Sequence, residues 1–224
     1  MSLIVNKSER KMKKSIAILI LVTTSLFSCK QDHKSTSDSV KNVQSKKRDK
    51  NVYTKYLYTD SNGGSVIIQN SFPKGGIRYT DSKGDIYVYA VFWTRISNET
   101  DNPLELKIDF PLNSYEVPSL SGKYFKVLIP KDTMTLEKVP LYNYGLTDLK
   151  PFFDKNIDKP SSLKRTINPK ESSAFYVIAL SSIKKVGGTM RTGLSIKEQN
   201  LYYKINDKEI QCGSINLENL TLKK

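Results

Sequence analysis

The clearest regularity in this chain has a period of two. From Leu104 to Phe110, apolar Leu104, Leu106, Ile108 and Phe110 alternate without a break with charged Glu105, Lys107 and Asp109. Successive strand side chains point to opposite faces, so the pattern predicts a half-buried antiparallel strand. Just upstream, Asp85 to Ser97 is β-branched and aromatic on both faces, which predicts a long central strand. Asn98-Glu99-Thr100-Asp101-Asn102 joins the two as a run of turn formers closed by Pro103, so the pair is expected to form a β-hairpin. Further strands are predicted over 65–69, 123–129, 173–180, 189–196, 201–205 and 209–215. Asp81-Ser82-Lys83-Gly84-Asp85 reads as a hairpin turn, and its spacing fails the EF-hand pattern for calcium. One helix signal stands inside a long connection, 131–162: Thr147 to Phe153, with Thr147 as cap and Pro151 in the first turn.

A different pattern opens the chain. Lys7, Arg10, Lys11, Lys13 and Lys14 precede an uncharged run from Ile16 to Phe27. A basic stretch followed by a short apolar run is the layout of a secretory signal, whereas a spanning helix needs about 20 apolar residues. The run ends in Leu26-Phe27-Ser28-Cys29, which resembles the lipobox of bacterial lipoproteins. The resemblance implies cleavage between Ser28 and Cys29 and acylation of the Cys29 sulfur. Two or more acyl chains hold a protein stably to a membrane, where a single one holds marginally. Met12 opens a complete signal by itself, so translation from either Met1 or Met12 fits.

Beyond Cys29 the residues to 51 are mostly polar, with Val40 and Val43 the only aliphatics before Val52. Such a segment buries too little apolar surface to offset its ordering entropy, so it reads as a disordered tether. Lys30-Gln31-Asp32 resembles a lysine-plus-acid signal that sends some lipoproteins to the outer face of the outer membrane, although only one acid is present. The face of that membrane is left open. The chain thus divides into a signal peptide (1–28), a lipidated cysteine with its tether (29–51) and a folded domain (52–224).

Charge refines this division. The chain carries 36 bases and 22 acids, for +14. After Ser28 there are 31 bases and 21 acids, and residues 30–55 hold eight of the bases and three of the acids. Half of the resulting +10 therefore lies on residues 30–55, the tether and the start of the domain, where it suits anionic headgroups. The domain shows no basic cluster interleaved with aromatics, so nucleic acid is not an expected partner.

The chemistry is bounded by what is scarce. The single histidine, His33, lies in the tether, which removes Ser-His-Asp, Cys-His and His-ligated metal chemistry from expectation. With Cys29 acylated, Cys212 has no disulfide partner, and its alternating surroundings place it with Ile210 as a buried structural thiol. No phosphate-binding glycine loop occurs and no cofactor is expected. Carboxylate-pair hydrolysis remains open, with Asp81, Asp85, Asp101, Glu105 and Asp109 as candidates by number alone. We expect no enzyme.

Many short strands with frequent turns predict a mostly β protein, an antiparallel sandwich with one short helix. The run Ile96 to Leu106 is similar to the strand-turn-strand of immunoglobulin-like modules in exported bacterial proteins, and Asn168-Pro169-Lys170-Glu171 before Phe175-Tyr176-Val177 is similar to the approach to a later strand in them. An immunoglobulin-like fold is what the resemblance implies. The expected function is a membrane-anchored binding module for a glycan or an envelope protein. The alternative is a structural or accessory subunit of an envelope complex. Among 13 tyrosines, Tyr87 and Tyr89 share one strand face with Trp93; that face is either a core layer or a ligand platform.

Overall fold

The computed structural model describes residues 50–112, 115–116, 124–182, 189–217 and 221–223. Ser28, Cys29 and the tether to residue 49 lie outside the described residues. The described residues form two antiparallel sheets, one short α-helix and two single turns of 3-10 helix. The larger sheet, a curled half-barrel, runs β13 (Thr221–Leu222), β1 (Val52–Thr59), β2 (Ser65–Ser71), β4 (Ile86–Asn98), β9 (Ser172–Ser181), β7 (Tyr124–Leu128) and β6 (Tyr115–Glu116), with β3 (Lys74–Thr80) also paired to β4. The smaller sheet runs β10 (Thr192–Lys197), β11 (Asn200–Ile205), β12 (Lys208–Ile215), β5 (Leu104–Phe110) and β8 (Ser161–Ile167).

The alternation read in β5 holds: its four apolar residues are buried, and Glu105 and Lys107 are exposed. They meet Phe92, Ile96, Val177, Leu194 and Cys212 in a core shared by both sheets. The expected pairing of β4 with β5 does not occur. β4 pairs with β2, β3 and β9, and β5 with β8 and β12. The connection is an arch that carries the chain from one sheet to the other. Asn98 explains it. Its amide donates to the carbonyls of Asn102 (2.8 Å) and Ile167 (3.0 Å), and its oxygen accepts from the Thr100 N–H (3.0 Å) and hydroxyl (2.7 Å). This buried side chain takes up polar groups that a hairpin ladder would otherwise satisfy.

β4 is buried on both faces because the larger sheet is covered twice. Its second face packs under residues 131–160, where Tyr87, Tyr89 and Trp93 join Val139, Tyr144 and Phe153 in a separate core. The predicted helix is there as α1 (Leu149–Asn156), with Pro151 in its first turn. Its cap is not Thr147. Asp148 stands at that position with φ 51°, and the Thr147 hydroxyl donates to the Asp148 carboxylate (3.3 Å). Pro151 has no N–H at the position a capping side chain would reach.

β2 and β3 run in one direction along one flank of β4, as a single strand broken at Phe72-Pro73. Pro73 cannot donate to the ladder. At the break, the Ser71 hydroxyl accepts the Trp93 N–H (2.9 Å). Gly75 and Gly76, at φ 123° and 80°, bulge the strand where it rejoins β4.

Candidate functional site

Of the two readings of the Tyr87, Tyr89 and Trp93 face, the core layer is the one found. Trp93 is 2% exposed, and Tyr87 and Tyr89 are buried. Phe153 meets Tyr89 edge-on at 5.0 Å, and Tyr144 meets Trp93 at 6.4 Å. Burial pushes the Tyr87 hydroxyl up to about 12. The platform is thereby excluded as a ligand surface.

The five candidate carboxylates fall in three separate places: the Asp81–Asp85 turn, the arch and the outer face of β5. Asp81 accepts the N–H groups of Lys83 (2.9 Å) and Asp85 (2.8 Å), closing the hairpin turn read in the sequence. Asp101 pairs with Lys170 (2.9 Å) in the arch, and Asp109 with Lys107 (3.4 Å) on the outer face of β5. Glu105 is exposed on that same face. Among the described residues no three His, Cys, Asp or Glu side chains are grouped to hold a metal ion. Cys212 is buried and free, and burial pushes its thiol up to about 12.

The site with converging chemistry is one the sequence reading missed. A cleft of about 430 Å³ lies where β1 of the larger sheet passes β10 and β11 of the smaller one. Its floor is stitched by Asn70. The Asn70 amide donates to the Leu194 carbonyl (3.1 Å) and the Thr54 hydroxyl (2.9 Å), and its oxygen accepts from the Leu194 N–H (2.9 Å) and the Thr94 hydroxyl (2.9 Å). Beside it the Ile196 N–H donates to the Tyr58 hydroxyl (2.8 Å). Side chains of one sheet thus satisfy the free edge of the other, and the edge is closed to further strand pairing.

At one side of the cleft the broken strand projects Phe72 outward, and its ring meets that of Tyr53 at 5.5 Å. The Arg191 guanidinium lies over both, 5.2 Å from Tyr53 and 5.3 Å from Phe72. Its backbone is held on both sides by Asn206: the Arg191 N–H donates to the Asn206 side chain (3.0 Å), and the Asn206 N–H to the Arg191 carbonyl (2.8 Å). Asn206 adopts φ 50° in the turn between β11 and β12, a conformation Asn tolerates. Across the cleft, Glu209 is engaged by Lys197 and by the Ser195 hydroxyl (3.4 Å). Among the described residues no carboxylate forms an ion pair with Arg191. A guanidinium stacked on aromatic faces keeps its planar donor fork for a ligand oxyanion. Thr54, Thr192 and Ser195 add hydroxyls to the lining.

Among the described residues no helix is long and apolar enough to cross a membrane. Comparison with protein-family models, with curated proteins and with solved structures found no match.

Proposed function

We propose that this chain is an envelope lipoprotein, anchored through Cys29, whose β-domain is a binding module for a glycan bearing an acidic group. The observation that carries the ligand class is Arg191, held at its backbone, stacked over exposed aromatic rings and lacking an acidic partner among the described residues. Aromatic faces suit sugar rings, the guanidinium fork suits a carboxylate or phosphate, and the surrounding hydroxyls suit sugar hydroxyls. The fold reading that accompanies it is an immunoglobulin-like sandwich, supported by the sheet-to-sheet arch at Asn98. The signal sequence and Leu26-Phe27-Ser28-Cys29 support a lipid anchor, and Lys30-Gln31-Asp32 supports an address in the outer membrane.

Titration calorimetry of the whole chain against acidic and neutral envelope glycans tests the ligand class. Arg191→Ala is expected to weaken acidic-glycan binding by at least about tenfold, the loss of a charged hydrogen bond. Arg191→Lys restores little, because an ammonium lacks the fork. Equal binding by Arg191→Ala and the unaltered chain would refute this reading of the cleft.

A further inference from the structure

We infer that the loop around Leu136–Tyr142 is a lipid-contacting seat, through which this end of the domain lies against an anionic membrane. The inference rests on the anchored-lipoprotein reading and adds to it an orientation.

Three large apolar side chains stand out within seven residues: Leu136 is 49% exposed, Leu141 50% and Tyr142 71%, with Pro140 exposed between them. Exposed apolar side chains grouped in this way mark a contact surface. The loop is also firmly built. The Lys74 ammonium donates to the carbonyls of both Val139 and Leu141 (2.6 Å each) and lies 4.3 Å from the centre of the Tyr144 ring. The Tyr144 hydroxyl donates to the Phe72 carbonyl (2.6 Å), and the Tyr176 hydroxyl to the Tyr144 carbonyl (2.8 Å). Asn143, Tyr144 and Gly145 follow with φ of 45°, 57° and 73°, three consecutive left-handed residues that reverse the chain. Two of them are not glycine, so the turn stores backbone strain. Inward-facing Val139 and Tyr144 hold the loop down while Leu141 and Tyr142 face out.

The position of the loop identifies its occupant. Forty-nine residues precede Lys50. The chain enters β1 at Val52, the next residue Tyr53 packs on Phe72, and the Phe72 carbonyl is held by Tyr144. The loop is therefore at the end of the domain where that chain arrives. With Cys29 in a membrane, 20 residues, 30–49, separate the anchor from the point where the chain enters the domain. The entry end is then the part of the domain nearest the anchor along the chain. Residues 30–50 carry seven bases against three acids, which draws the entry point toward anionic headgroups. Leucine and tyrosine are side chains that settle at the headgroup boundary. Glu137 is the single acid in the loop, and Lys138 beside it balances its charge.

An environment-sensitive fluorophore at Tyr142→Cys tests this in the full chain. Cys212 is buried and an acylated Cys29 is blocked, so labelling is confined to the new thiol. A second chain carries the probe at Lys107→Cys, on the outer face of the smaller sheet, remote from the covering layer. Both are reconstituted into vesicles of phosphatidylethanolamine with phosphatidylglycerol, with and without brominated acyl chains, and the protein mass is measured. Blue-shifted emission and several-fold greater bromine quenching at 142 than at 107 is expected, weakening in phosphatidylcholine alone. Equal quenching at the two positions overturns the seat and leaves the loop to a protein partner. The mass at Cys29, read before labelling, judges the anchor separately: if that cysteine is unmodified, both probe chains are remade with Cys29→Ser, and strong quenching at 142 would then sink the lipoprotein reading and keep the seat.

Discussion

At the scale of single residues, this domain depends on buried polar side chains that replace missing ladder bonds. Asn70 and Asn98 each make four hydrogen bonds, and both are essentially inaccessible to solvent. Sequence pattern shows an asparagine at the end of a strand but not which distant carbonyl it meets; Leu194 is 124 positions from Asn70. Cys212 is the opposite case, legible in full. Alternation placed it inward with Ile210, and it is 3% exposed in the shared core. With its thiol pushed up to about 12 by burial, the folded protein at pH 8 holds roughly a thousandfold less thiolate there than an ordinary cysteine would. Thiol titration is therefore expected to count no fast-reacting group in the native chain and one after denaturation, if Cys29 is acylated. A fast native thiol would show that Cys29 is free or that Cys212 is reachable.

At the scale of elements, the strands with strong period-two or all-apolar character were readable, and those missed have physical reasons. β3 opens with Lys74-Gly75-Gly76, a composition that favours turns, and is a strand only because β4 offers it a flank. β8 is an edge strand with Lys164 and Arg165 in its middle, charges that blunt an edge and mask its alternation. β1 carries polar Thr54 and Lys55 because its start flanks the cleft. The cleft was invisible for the same cause: Tyr53, Arg191 and Asn206 become neighbours only when the two sheets pack. The β5–β12 pairing that closes the smaller sheet depends on one glycine. A Cβ at Gly213 would overlap the Lys107 carbonyl and press on the Ile108 Cα, backbone atoms that cannot swing aside. Beside it, Cys212 is the extra residue of a bulge, so the strand has no slack to relax. Gly213→Ala is expected to destabilise the domain at the upper end of roughly 1–3 kcal/mol in urea melts. Exposed Ser214→Ala next to it should cost under about 0.5 kcal/mol. Similar midpoints for the two would mean that β12 does not approach β5 this closely.

At the scale of the whole molecule, the unusual feature is a third layer. Residues 131–160 lie over the larger sheet and make its outer aromatic face into a second core. Asp158 fastens the end of this layer. It takes the Lys126 ammonium from β7 and the Lys83 ammonium from the turn between β3 and β4, each at 2.7 Å. Strand β9 lies between β7 and the β3–β4 hairpin that carry these lysines, so the carboxylate bridges parts of the sheet that are not neighbours. Hydrogen bonds from Lys126, then from Lys83, draw the carboxyl down to about 2, against about 3.9 in an unfolded chain. A carboxyl held lower in the folded state contributes stability above its unfolded value and loses it as pH falls toward the folded one. Asp158 is half exposed, so solvent screening limits its contribution to about 1 kcal/mol at most. The stability difference between the unaltered chain and Asp158→Asn is therefore expected to be constant above about pH 5 and to shrink between about pH 4 and pH 2. High salt should reduce it further. Chemical melts of both proteins across that range measure the difference directly. A gap that persists unchanged at pH 2 would assign the effect of the substitution to packing or hydrogen bonding by the amide, and the Asp158 charge would then not be what fastens this end of the covering layer.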